Sequence, residues 1–189
     1  MDVFASENII QDIGMKYIQQ INENCKLYEF DPNKNYSNGK SPEEKLFCIF
    51  LKQYGWEKFK HYAYNRGRHH IYVIFDYKSE DPVWVGYLHA LECDAVSKKC
   101  IQELHFLKED LFRNRVVFIH TINVGFFFRH RKYATYMVDI VKQRFSSMAD
   151  IMVEATKKGK KFWPAVGFIK VQKTPKGLFM VWPKGRHEK

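Results

Sequence analysis

Residues 116–171 constrain the fold of this chain most strongly. They read VVFIHTINVGFFFRHRKYATYMVDIVKQRF and, four residues later, DIMVEATKKGKKFWPAVGFIKV. Arg115–Val124 is the most apolar strand of the sequence, and a basic turn, Arg129-His130-Arg131-Lys132, follows it closely. The spacing then switches to helical over Lys132–Phe145, with Tyr133, Met137, Ile140 and Val141 on one side. A second strand at Ile151–Ala155, a short basic helix around Lys157–Trp163 and a Gly167-Phe168 pair complete the run. Two strands joined by a crossover helix require a sheet with a helix packed on it. A helix that starts in positive charge just after a buried strand offers amide donors and a favourable dipole to a phosphate group.

The flanking segments decide the fold class. His70–Asp76 and Val83–Glu92 are rich in Val, Ile, Tyr and Trp and are separated by Lys78–Pro82, so they are expected to pair. Lys99–Leu107, Phe168–Gln172 and Leu178–Trp182 are further expected strands. Antiparallel strands followed by a strand–helix–strand crossover give an α+β domain with a mixed sheet. The first 65 residues are expected to be helical, because Ile9, Ile10, Ile13, Tyr17 and Ile21 recur at three- and four-residue spacing. A loop at Asp31–Lys40 precedes Ser41-Pro42-Glu43-Glu44, which is a capping box with Pro at the first helical position. Leu46, Phe47, Phe50, Leu51 and Tyr54 supply the buried stripe of that helix, and a further helical stretch is expected over Trp56–Tyr64. The chain therefore divides into a helical N-terminal extension, 1–65, and an α+β domain, 66–189, packed as one unit.

Charge is unevenly placed. From Arg129 to Lys189 there are 15 Lys or Arg against 4 Asp or Glu, whereas the whole chain carries a net +10. The basic last third concentrates polyanions, and nucleic acid, an anionic membrane face or a phosphorylated cofactor would each respond to it. No apolar run reaches the roughly 18–20 residues of a membrane span, and MDVFASENII lacks the pattern of a secretory signal. Cys25, Cys48, Cys93 and Cys100 stand singly and the eight histidines lack ligand spacing, so no metal site is expected. Free thiols point to a reducing, intracellular compartment, cytoplasmic or nuclear.

From Ile71 to Trp182 the chain resembles the GCN5-related N-acetyltransferases, the GNAT superfamily. In that family a strand ending near a Val is followed by Arg or Gln, two residues, Gly, one residue, then Gly or Ala. Here Val124 is followed by Arg129-His130-Arg131-Lys132-Tyr133-Ala134, with Arg129 and Ala134 matching and Lys132 in place of the first Gly. The family's Phe-Tyr, three residues, Gly-Phe appears as Phe162-Trp163-Pro164-Ala165-Val166-Gly167-Phe168. Thr156 and Gly159 replace the usual Asn and Ala.

The resemblance implies a twisted, mostly antiparallel sheet flanked by helices and the transfer of an acetyl group from acetyl-CoA to an amine. It places the pyrophosphate of acetyl-CoA on the amides of Arg131–Ala134, within a cofactor surface of Arg129, His130, Arg131, Lys132, Tyr133, Ala134 and Thr135, with Phe162 alongside. It pairs the pantetheine arm with the backbones of Ile122, Asn123 and Val124. Lys157, Lys158, Lys160 and Lys161 are suited to the 3′-phosphate. Arylalkylamine N-acetyltransferases of this family carry a histidine within His-x-x-x-Val, which names His120 as the general base. Strand alternation would then set His120 and Val124 on one face. Glu103, Glu92 and Glu154 are weaker candidates for the base. Trp163 stands where the family often has the tyrosine that protonates the thiolate, and an indole cannot supply that proton. Tyr133, Tyr136 or water would have to replace it. The acceptor is open between a small amine, a protein and a tRNA-like molecule. An alternative reading keeps the fold but makes the chain an inactive protein that binds nucleic acid or an acidic partner through its basic third.

Overall fold

The structure, a computed structural model, describes residues 15–31, 41–54, 67–93, 115–175 and 177–185. Among them eight strands form one sheet in the order β1-β2-β3-β4-β5-β6-β8-β7. The strands are β1 (Met15–Gln20), β2 (Cys25–Phe30), β3 (Gly67–Asp76), β4 (Val83–Cys93), β5 (Val116–Val124), β6 (Asp150–Ala155), β7 (Ile169–Lys173) and β8 (Leu178–Trp182). Three helices accompany them: α1 (Pro42–Tyr54), α2 (Tyr133–Phe145) and the single turn α3 (Phe162–Ala165). Every pairing is antiparallel except that of β5 with β6, for which α2 is the crossover.

The expected helical character of the first 65 residues is not what forms at 15–30. Those residues fold as the β1–β2 hairpin and extend the sheet through β2–β3 pairing. The helical spacing of Ile13, Tyr17 and Ile21 competes with a turn signal in Asn22-Glu23-Asn24, and the turn prevails. The Asn22 Oδ1 accepts the amides of Asn24 (3.0 Å) and Cys25 (2.9 Å), the side-chain mimic of a backbone turn. The capping box does form: Ser41 Oγ accepts the Glu44 amide at 3.2 Å and Glu44 Oε2 accepts the Ser41 amide at 3.3 Å. Ile9–Ile13, Trp56–Tyr64 and the expected strand Lys99–Leu107 lie outside the described residues. The short helix expected around Lys157–Trp163 begins later, at Phe162, after turns closed by Thr156 and Gly159 carbonyls.

Both sheet faces are covered. On one face α2 packs Met137, Val138 and Val141 against Tyr72, Ile74, Leu88, Val117, Ile119, Ile151 and Val153. On the other, α1 sets Phe47 on Phe30 with ring centroids 4.0 Å apart, over Ile71, Val73 and Phe75. A third cluster, Leu91, Val116, Phe118, Met152, Phe179 and Val181, continues that second face toward β8. Central β3 is buried from His69 to Phe75, as a strand covered on both sides must be.

Candidate functional site

The site follows from an early end to one ladder. β5 and β6 are paired over only four positions, Val116–Ile119 with Asp150–Val153. Beyond them β5 stays with β4 as far as Val124, and β6 stays with β8 as far as Ala155. The two strands part, and a cavity of about 750 Å³ opens between them. Ile122, Asn123 and Val124 line it, so the β6-side edge of β5 meets the cavity rather than a strand.

The start of α2 closes one end. Gly125 still donates to Val85 of β4 (2.8 Å), and a 3-10 turn at Phe126–Phe128 reverses the chain. Two non-glycine residues then adopt left-handed backbone, His130 (φ 64°) and Lys132 (φ 62°). The first bond of the α2 ladder runs from Tyr136 to the Lys132 carbonyl at 3.0 Å, and no side chain caps this end. The amides of Tyr133, Ala134 and Thr135 therefore precede the ladder and face the position where an anion is best held. Arg129, His130, Lys132, Tyr133, Ala134 and Thr135 all contribute to the lining, whereas Arg131 does not. Of the four lysines between Thr156 and Phe162, Lys158 lines the cavity, and Phe162 does so from α3. The neighbouring Phe126 and Phe127 are 73% and 83% exposed, while Phe128 packs against the core.

The expected sharing of a face by His120 and Val124 does not hold. Thr121 lies opposite His89 and Ile119 opposite Ala90, which leaves His120 as the extra residue of a β-bulge. The bulge offsets the alternation by one. Val124 and Ile122 pack with the α2-side core, while His120 lies against Phe118 (ring centroids 6.5 Å) and His89 (5.5 Å) on the opposite face. Glu154 shares that opposite face, since it pairs with Phe179. Exposed His120 and half-buried Glu154 thus flank the cavity from its two diverging strands, one on each side. Thr174 donates a hydrogen bond to Glu154 and fixes its carboxylate. Glu103 lies outside the described residues.

The acid candidates fare differently. The Tyr133 hydroxyl is turned into the β1–β2 turn, 3.2 Å from Cys25 Sγ and 3.2 Å from Asn22 Nδ2. Burial and the bond to Cys25 raise its pKa above the usual phenol value. Tyr136 lies outside the lining. Trp163 is 4% exposed and packs edge-to-face with Phe162 and Phe168. Glu92 pairs with Arg115 and lies within reach of His70, away from the cavity.

A feature the sequence concealed is a row of imidazoles on β3, β4 and β5. His69 Nδ1 lies 2.9 Å from His89 Nε2, and the His89 ring abuts that of His120. These residues stand at no ligand spacing in the chain, and only strand register brings them together. Among the described residues no group of three or more His, Cys, Asp or Glu could hold a metal ion.

Solved structures with this architecture are similar in fold. A tyrosine-to-phenylalanine mutant of the toxin AtaT, bound to the C-terminus of the antitoxin AtaR and acetyl-CoA, matches with a TM-score of 0.55 at 12% identity, over 86% of this chain and 94% of that one. A mutant of KacT with the same type of substitution matches with a TM-score of 0.53 at 14% identity, over 86% and 96%. FeeM, an N-acyl amino acid synthase from uncultured soil microbes, matches with a TM-score of 0.50 at 9% identity, over 75% and 84%. No family model matches the chain, and no curated protein is significantly similar to it. What these likenesses show is the fold, the GNAT-like α+β fold expected from the sequence.

Proposed function

We propose that this protein is an acetyl-CoA-dependent N-acetyltransferase. The observation that carries the reading is the parting of β5 from β6 beyond Ile119, with the uncapped start of α2 at the end of the gap. The cavity has room for an extended ligand, a backbone edge for its arm and amide donors for its pyrophosphate. Acetyl-CoA, when bound, supplies the activated acetyl thioester. The amides of Tyr133–Thr135 hold its pyrophosphate, with charge from Arg129, Lys132 and Lys158. The β5 edge at Ile122–Val124 orients the pantetheine arm, and a backbone N–H there polarises the carbonyl under attack.

The acceptor approaches from the face opposite α2. Glu154 attracts its ammonium group across the cavity, and His120 takes the proton that must leave before nitrogen can attack. No covalent bond to the protein is needed. Trp163 cannot return a proton to the departing thiolate, so that proton comes from water or from the His120 imidazolium.

Thermal melting tests the reading. Acetyl-CoA at 100 times its dissociation constant adds about 2.7 kcal/mol of stability, a shift of several degrees. Lys132→Glu with Lys158→Glu is expected to abolish the shift with little loss of stability without ligand. A second reading, a binding protein on the same fold, draws on Trp163 and on the engaged Tyr133 hydroxyl. It would prevail if single-stranded nucleic acid shifted the melt and acetyl-CoA did not.

A further inference from the structure

Three imidazoles lie side by side on the sheet face opposite α2, one on each of three successive strands. His69 and His89 are 4% and 0% exposed, and His120 is exposed at the cavity. They form a polar seam between two apolar clusters, the Phe30–Phe75 cluster under α1 and the Val116–Phe179 cluster over β5, β6 and β8. Register sets the row. His69 lies opposite Leu91, one diagonal step from His89, and the bulge brings His120 beside His89.

The chemistry of the row is constrained. One proton is shared in the 2.9 Å contact between His69 Nδ1 and His89 Nε2, so one ring donates and the other accepts. Desolvation by burial holds His89 well below the ordinary histidine value, and repulsion from His120, His69 and His70 adds to it. A fully buried ring fixed on one side by a hydrogen bond is held in one orientation. Its other side meets the His120 ring at 71°, edge to face. Mobility in the exposed imidazole is therefore limited by a neighbour that does not itself charge.

We infer that His89, braced by His69, is a positioning residue that orients the His120 imidazole toward the cavity. This rests on the reading of His120 as the base that deprotonates the acceptor amine. The arrangement gives a role to a buried polar pair that an apolar pair of the same volume could replace without needing a partner.

The test uses the full-length protein and His89→Phe, which keeps a ring but removes both nitrogens, with His89→Gln as the conservative control. NMR titration of the His120 ring is done without ligand, and acetyl transfer from acetyl-CoA to a panel of amines is assayed separately. His89→Phe is expected to move the His120 midpoint by about half a pH unit or more. It is also expected to lower kcat by about ten- to a hundred-fold at unchanged KM for acetyl-CoA. His69→Phe should reproduce both effects more weakly, and His89→Gln should restore much of each. An unmoved His120 titration and pH–rate profile in a folded His89→Phe protein, with only a lower Tm, would overturn the inference. A failure of His120→Ala to change turnover would instead sink the base assignment, and the titration would distinguish the two failures.

Discussion

Lys132 holds a backbone conformation that costs a side chain energy. At φ 62° and ψ 9° it occupies the left-handed region that Gly adopts freely, at the place where GNAT sequences carry the first Gly of their turn. For a non-glycine residue this costs roughly 1 kcal/mol. Lys132→Gly is therefore expected to raise Tm by about 2–4 °C, measured by calorimetry, while the start of α2 keeps its geometry. Gly159 and Trp163 form a second local pair. A Cβ at Gly159 would sit 3.1 Å from the indole Nε1, so the glycine leaves room for the indole. Trp163→Tyr with Gly159→Ala restores a phenol at that place. Turnover by the double variant should rise by about tenfold or more if thiolate protonation limits the native rate. Equal rates in the two proteins would show that water or the His120 imidazolium already suffices. Gly167 has no such latitude: at φ 89°, a Cβ there would meet the Trp182 ring at 2.5 Å.

The elements differ in how plainly the sequence announces them. β3, β4, β5, α2, β6 and β8 follow from periodicity, because their buried faces are long enough to impose a pattern. β1 and β2 escape, since Tyr17, Ile18 and Ile21 fit a helical stripe as well as a strand, and the Asn22 turn alone decides between them. The bulge at His120 leaves no mark in composition, because one inserted residue alters register without altering residue type. The turn that leads into α2 was thus legible, but the faces of β5 were not. Across β2, β3, β4 and α2 runs an ion network that also needed the fold to be seen. Glu29 accepts hydrogen bonds from Arg144 at 2.6 and 2.7 Å and lies 2.7 Å from His70 Nδ1. Burial acts to raise the Glu29 pKa, but His70 and Arg144 outweigh it and hold the carboxyl below the usual value of 4.5. A carboxyl depressed in this way contributes stability above its unfolded pKa and loses it as pH falls through the folded one. Denaturant midpoints should accordingly drop below about pH 4.5 in the native protein. Glu29→Gln should lose about 1–3 kcal/mol near neutrality and show a flatter acid limb.

At the scale of the whole molecule, part of the basic third meets the gap between strands. Of the basic residues from Arg129 onward, Arg129, Lys132 and Lys158 line the cavity. An anionic ligand held by many amides should lose less affinity with salt than a polyanion held by counterion release. Titrations at about 50 and 200 mM salt separate the two. The sheet has a further consequence. Strands β1–β5 on one side and β6–β8 on the other are stitched by four rungs and one crossover helix. That seam is the natural tear line of the fold, so the β6–β8 flap is expected to exchange its amide hydrogens sooner than β3 and β4 in the empty protein. A molecule lying along the exposed edge of β5 would act as a removable extra strand. Occupancy would then be written into the stiffness of the protein, and slowed exchange at residues 120–124 and 150–155 would report it before any product is formed.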